Sequence, residues 1–408
     1  MSKWERLALG DVAGIKHGYA FKGEYFCDEP THFLLLTPGN FMIGGGFQEK
    51  PKFYNGPIPE SYVLAKDDLI VTMTDLSKRG DTLGYSALVP TSNRYLHNQR
   101  IGLVTMKNSE VLKEFVYWLM RTWDYQRFII NHASGSTVKH TSPKTILSYE
   151  FAAPPIEEQR IIVATLSAID DKIANNRAIN HRLEQMAQAI FKSWFVDFEP
   201  WGGKMPDDWR EGTISDLGDV IGGSTPSKAK PEYYAEHGIA WITPKDLSIN
   251  KSKFIARGAN DITEFGLRNS NARLMPPGAV LFSSRAPIGY IAVASGEVCT
   301  NQGFKSIVPK ETVGTAFVYC FLIENLQTIE SMASGSTFKE VSGTTMKGIP
   351  AAIPTDDTFR RFQEECTSLF EKQELLEAEN ARLAALRDTL LPRLMSGELS
   401  VADAGVKR

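Results

Sequence analysis

Two short segments of this 408-residue chain offer the same chemistry twice. Ala133-Ser134-Gly135-Ser136-Thr137 recurs as Ala333-Ser334-Gly335-Ser336-Thr337, with Lys139 and Lys339 just beyond. Small residues, hydroxyls and open backbone amides let such a loop approach a phosphate closely. The alternative is a plain C-cap turn, copied because its domain was copied. Lys78-Arg79-Gly80 and Ser283-Ser284-Arg285 occupy matching places, before Gly84-Tyr85 and Gly289-Tyr290. Arginine on such a loop can grip guanine with two hydrogen bonds, or it is a solvated hairpin tip. Asn98-Gln99-Arg100 and Asn301-Gln302 have the amides to read adenine, with backbone capping as the favoured role. Lys228 is a candidate phosphate contact, with a charged surface loop as the ordinary reading.

Catalytic signatures are missing. There is no phosphate-binding G-x-x-x-x-G-K-[ST] and no G-x-G-x-x-G. Gly44-Gly45-Gly46 reads as a turn. Pro154-Pro155 and Pro276-Pro277 lack the flanking residues of an amino-group methyltransferase motif. Asp170-Asp171-Lys172 resembles the tail of a nuclease motif but falls inside a helical pattern. The seven histidines and four cysteines show no ligand spacing. The chain is therefore expected to bind rather than catalyse, with no catalytic residue, metal or cofactor of its own.

The elements that position these segments are themselves repeated. Leu9-Gly10-Asp11-Val12 returns as Leu217-Gly218-Asp219-Val220, Thr37-Pro38 as Thr243-Pro244, and Phe115-Val116-Tyr117 as Phe317-Val318-Tyr319. A period this long is a duplicated domain, not a solenoid. Each half opens with short apolar runs bounded by turn residues, such as Leu69-Ile70-Val71 and Ile239-Ala240-Trp241-Ile242, which predict strands. One helix is predicted late in each, over about 110–132 and 315–332. Ser142-Pro143 predicts the start of another short helix, and Ser342 occupies the equivalent place.

A long helix closes each half, over about 154–198 and 355–395. Forty helical residues span about 60 Å at ~1.5 Å each. Ile162, Leu166, Ile169, Ile173, Asn176, Asn180, Leu183, Ala187, Ile190 and Trp194 follow a 4-3 spacing in the first helix. Adding 200 gives Phe362, Cys366, Leu369, Gln373, Leu376, Asn380, Leu383, Arg387, Leu390 and Leu394. Both series read as coiled-coil stripes with polar residues near the middle, where such residues set register; the alternative is a surface helix lying on a globular core with these residues on its edge. The expected fold is α+β: two similar mixed α/β domains separated by two long antiparallel coiled-coil helices, with pseudo-two-fold internal duplication. The expected segments are domain 1 at 1–153, helix 1 at 154–200, domain 2 at 201–354, and helix 2 with a tail at 355–408. Each domain is expected at an opposite end of a rigid rod.

Composition is that of a globular protein, with 42% hydrophobic and 23% charged residues. The scattered cysteines and the lack of a signal or apolar span imply a reduced, cytoplasmic setting. A net charge of −3 disfavours a nucleic-acid binder acting alone.

These features together resemble the specificity subunit of type I restriction–modification systems. The residues that carry the resemblance are Trp4 and Trp209, Gly222-Gly223-Ser224-Thr225-Pro226, and Trp241-Ile242-Thr243-Pro244-Lys245-Asp246-Leu247. Both Gly-Ser-Thr turns and Pro154-Pro155-Ile156-Glu157-Glu158-Gln159-Arg160-Ile161 belong with them. The second copy departs from the last motif, keeping only Arg360 and the helical pattern. The resemblance implies a non-catalytic subunit with two target recognition domains, each reading half of a bipartite asymmetric double-stranded DNA site, and a helix pair that sets the spacer. Lys245 joins the candidate DNA contacts on this ground. It also implies partners: two modification subunits that use S-adenosylmethionine to methylate adenine, and restriction subunits that use ATP and Mg2+. Alternatives are the specificity subunit of a system whose methylation and cleavage share one chain, a coiled-coil scaffold that ignores DNA, and an enzyme of unrecognised type.

Overall fold

The computed structural model describes residues 4–77, 79–335 and 339–399. They divide into two compact units, Met1–Lys172 with Leu383–Arg408, and Ile173–Arg382. The two long helices, Ile156–Phe195 and Asp356–Met395, each contribute a segment to both units. Pro392 stands inside the last turns of the second helix, and Gly397 follows its end.

In the first unit, Glu5–Ala8 pairs antiparallel with Glu150–Ala153, tying the start of the mixed region to the strand that leads into the long helix. Between them lies a four-stranded antiparallel sheet in the order Ala13–His17, Ile101–Met106, Leu69–Thr72, Ser86–Leu88. A second sheet runs Phe26–Cys27, Phe53–Tyr54, Leu34–Leu35, Tyr95–Leu96. The main core joins this region to the helices. Phe115, Trp118 and Tyr125 pack in one cluster with Ile162 and Leu166 of the first long helix and Leu391 and Leu394 of the second. Each such side chain contributes about 1.5–3 kcal/mol by burial.

The second unit repeats this plan. Arg210–Thr213 pairs with Pro350–Ile353. Its larger sheet runs Gly218–Gly222, Lys305–Pro309, Val280–Phe282, Ile291–Ala294, then a fifth strand, Phe254–Ile255, that has no counterpart among the described residues of the first unit. The core is aromatic: Phe317 stands edge-on to Phe191, Phe195 and Phe359 at 5.3, 4.9 and 4.8 Å between centroids, a favourable arrangement for rings.

Within each unit the long helices run antiparallel. In the second, Asn176 donates to Glu379 and Asn380 at 2.7 and 3.0 Å, and four residues on, Asn180 and Gln373 exchange side-chain-to-carbonyl bonds at 3.3 and 3.1 Å. In the first, Asp170 meets Arg387 at 2.7 Å, with Leu166 and Leu391 buried further along. Of the twenty stripe residues none is exposed: Ile162, Leu166, Phe362 and Leu376 are buried, and Ile169, Asn180, Leu183, Ile190, Leu369, Asn380, Leu383 and Leu390 are half-buried. Phe191, Phe359, Phe370 and Leu391 are buried off the stripe, against the mixed regions.

One expectation needs correcting. The single late helix of each half is two helices, Lys113–Leu119 with Trp123–Asn131, and Thr315–Glu324 with Leu326–Ser331. Thr122 makes the first break: its hydroxyl donates to Leu119 O at 2.8 Å and accepts from Tyr125 N, starting a new helix. The short helices after the repeated turns do start on Ser142 and Ser342, whose hydroxyls accept from Thr145 N and Thr345 N at 3.1 and 3.0 Å.

Candidate nucleic-acid interface

The repeated Asn-Gln pair forms a tight turn in each unit. Asn98 O accepts from Ile101 N at 2.9 Å, and Asn301 O from Phe304 N at 3.2 Å. The carboxamide oxygens accept from Arg100 N and Gly303 N at 3.3 and 2.9 Å. Asn98 is buried and Asn301 half-buried. Their oxygens hold backbone, so the adenine-reading role is not one the geometry supports; Gln99 and Gln302 at the tips are the exposed members. Gln302 accepts from the Thr225 hydroxyl. Behind each turn lies a glycine that admits no side chain. A Cβ on Gly18 would stand 2.0 Å from Asn98 O, and one on Gly223 1.9 Å from Asn301 O.

Three segments distant in sequence are then laced edge to edge, identically in both units. Met73 N donates to Arg100 O at 2.9 Å, and Ser284 N to Gly303 O at 2.7 Å. Thr141 N donates to Met73 O at 3.0 Å, and Val341 N to Ser284 O at 2.9 Å. Ser134 and His140 exchange backbone bonds at 3.0 and 2.9 Å, and Ser334 and Glu340 at 3.0 and 2.8 Å. In the first unit Gly135-Ser136-Thr137 is therefore the tip of a short hairpin: Gly135 lies three residues beyond the C-cap His132, at φ +90°. That positive φ suits glycine.

The lacing corrects a correspondence read from sequence. Ser283-Ser284-Arg285 matches Thr72-Met73-Thr74, because Ser284 and Met73 make the same two bonds. Arg285 is thus the counterpart of Thr74. Arg79 belongs to a longer loop, 76–82, peculiar to the first unit. The sequence misled because Gly84-Tyr85 and Gly289-Tyr290 align well while the loop before them differs in length. Asp75 closes that loop, accepting from Ser77 N and the Thr82 hydroxyl at 2.5 and 2.6 Å and from Thr82 N. Burial raises the Asp75 carboxyl, but these hydrogen bonds outweigh it and hold it below the usual range.

Each unit carries its own charges on this frame. In the first, Arg79, Arg100 and His140 are exposed and Lys139, paired across from Asp75, is half-buried; the Thr74 hydroxyl meets His140 Nδ1 at 3.2 Å. In the second, Arg285 Nε lies 3.0 Å from one oxygen of Glu340, and Lys305 Nζ 3.3 Å from the other. Burial raises the Glu340 carboxyl, and the two cations outweigh it, leaving it below the ordinary range. Ser134, Gly135, Ser136, Thr137, Ser334, Gly335 and Lys339 are exposed on the hairpins. Lys78, Ser336 and Thr337 lie outside the described residues. Lys228 is exposed on a separate loop; Lys245 is exposed beside Pro244, whose ring would meet a Cβ on Gly303 at 3.1 Å.

Sequence reasoning missed His140, Glu340 and Lys305, which take their meaning from lacing. It also missed two buried cations. Arg121, its side chain 2% exposed, meets Asp170 at 2.7 Å and Tyr117 Oη at 2.5 Å. Lys253, 6% exposed, meets Glu184 at 2.8 Å and Gln373 at 2.9 Å, and lies 3.2 Å from the Phe370 ring centre. Each anchors a mixed region to the long-helix segments of its own unit. No signal marked them: Lys253 sits in a polar loop and Arg121 at a helix end.

Comparison with known proteins bears on this arrangement. The family described as "Type I restriction modification DNA specificity domain" matches residues 1–185 and 206–386. The HindI type I restriction enzyme specificity subunit of Haemophilus influenzae is 27% identical, over 98% of this chain and 100% of that one. The MjaIX specificity subunit of Methanocaldococcus jannaschii is 39% identical over 40% of this chain and 38% of its own. Among solved structures, the S subunit of a type I restriction–modification system from M. genitalium shares the fold, at a TM-score of 0.61 and 16% identity over 96% of both chains.

Proposed function

This chain belongs to the type I restriction modification DNA specificity family, and on that premise we propose that it selects the DNA site for a restriction–modification complex. Each unit reads one half of a bipartite double-stranded site through its laced frame. The paired long helices set the spacer between the halves and dock two modification subunits. The chain performs no chemistry itself. S-adenosylmethionine is held by the modification subunits, and ATP and Mg2+ by restriction subunits.

The observation that carries this reading is the frame built twice with different side chains. The same turn, strand and hairpin are bonded alike, yet Thr74 and His140 stand where Arg285 and Glu340 stand. A shared scaffold carrying unlike side chains suits two unlike half-sites and not a palindrome. The net charge of −3 fits a division of labour in which partners grip phosphates.

Co-expression with a modification partner, followed by sequencing of methylated sites, tests the proposal. A single bipartite asymmetric motif is expected. Heptad-scale insertions in both long helices should change the spacer and leave the half-site bases alone. A partner complex with no DNA preference would instead identify a scaffold.

A further inference from the structure

We propose that Arg285 is a specificity-determining residue that reads a guanine in the half-site of the second unit, with Glu340 as its positioning residue. This rests on the DNA-reading function proposed above and adds to it a base, a residue and an orienting partner.

Arg285 and Glu340 face each other across an antiparallel bridge, so their side chains start from adjacent backbone. The ion pair is made by Nε. Among the described residues, no hydrogen bond or ion pair occupies the two Nη groups of Arg285. The guanidinium is therefore held through Nε, its outer edge meets no partner among the described residues, and half of the side chain is exposed. That edge is the fork that matches the O6 and N7 acceptors of guanine in the major groove. A free arginine would lose rotamer entropy on binding; a buttressed one has lost part of it already. Lys305 steadies the buttress from its other oxygen. With two cations on it Glu340 remains ionised at neutral pH, and a carboxylate restrains a guanidinium better than a neutral acid does.

The first unit supplies the internal control. At the position of Arg285 it has Thr74, buried and turned to His140 Nδ1. It has no fork there, so the base read at the corresponding place differs. A phosphate contact is the main competitor, because arginine binds phosphate equally well. The two predict different mutant behaviour.

The test uses the full chain co-expressed with its modification partner. Binding is measured to duplexes carrying each single base-pair change in the methylated motif, at several salt concentrations. Arg285→Ala should erase discrimination at one G·C pair of one half-site, by on the order of ten- to a hundred-fold. Arg285→Lys should lose much of the same discrimination, since charge remains but the fork is gone. Glu340→Gln should weaken selectivity at that same pair and at no other. The other half-site should be unaffected throughout, and thermal unfolding would show that the variants are folded. Equal loss on every duplex with a salt slope lower by about one would make Arg285 a phosphate contact and overturn the inference. Unchanged selectivity in all three variants would make the pair purely structural, with the same consequence. Wild-type protein without any sequence preference would instead overturn the DNA-reading function itself.

Discussion

The two units bury a cation at the same junction in different ways. Tyr117 and Tyr319 come from the repeated Phe-Val-Tyr and occupy equivalent places. Over Tyr117 lies Arg121, one helical turn along the same segment, its guanidinium 4.9 Å from the ring centre. Over Tyr319 lies Lys253, from the loop before the fifth strand, at 4.2 Å. Arg121 bonds Asp170, which Arg387 also holds at 2.7 Å. The Lys253 ammonium bonds one carboxylate, Glu184, and the Gln373 amide oxygen, while its backbone N–H donates to Glu377. The backbone frame and the aromatic seat are shared by the copies; the charges set in them are not. The laced frame shows the same division, with Thr74 and His140 replaced by Arg285 and Glu340.

This contrast can be broken at its strongest point first. Lys253→Met leaves Glu184, half-buried beside Gln373, with no cation, and should destabilise by about 2–3 kcal/mol in urea unfolding. A loss under about 1 kcal/mol would show that the pair does not brace the unit. Burial raises the Glu184 carboxyl, but the Lys253 ammonium and its hydrogen bonds outweigh it, so the group titrates below the ordinary glutamate range. Its stabilisation is present above the unfolded pKa and is lost as pH falls through the folded one. Acidification should therefore destabilise the wild type more than a Lys253→Met, Glu184→Gln double variant.

The glycines behind the Asn turns test whether the frame is equally demanding in both copies. Gly18→Ala and Gly223→Ala each force a carbonyl away from a Cβ, at about 1–3 kcal/mol. Matching losses sharpen the duplication; a neutral variant in one unit would show that its turn yields. Arg121→Met should cost about 1–2 kcal/mol, less than Lys253→Met, because Asp170 keeps Arg387. Arg121→Met proving the more damaging would invert the comparison of the two braces. Smallest should be Ser142→Ala and Ser342→Ala, about 1 kcal/mol each from lost N-caps, read as shifts in thermal midpoint.

Much of the fold was legible because its signals are local. A largely apolar 4-3 spacing held from Ile162 to Trp194 and from Phe362 to Leu394 is a helical signal, and the long helices fall close to where it places them. Ser142 and Ser342 cap as their type requires. The Thr-Pro repeats open a helical turn, where Thr37 N and Thr243 N donate to Asn40 and Asp246 side chains at 2.9 and 2.7 Å. The break at Thr122 was hidden, since apolar residues continue through it on either side. The candidate site was legible only in pieces. Asn98, Ser134 and Arg79 stood out singly, but nothing local aligned Arg285 with Thr74 or gave it Glu340.

The amino-acid order alone determined that the chain is one unit written twice, where its long helices run, and which helix stripe is covered. These follow from periodicity, capping and repetition, which act between neighbours. Tertiary structure alone decided which charges meet. Residues 73, 100 and 141, or 253, 184 and 373, are joined by backbone lacing and burial across long stretches of chain. Whether a lysine becomes a buried brace or an arginine keeps an open edge depends on what the rest of the fold brings within about 3 Å of it.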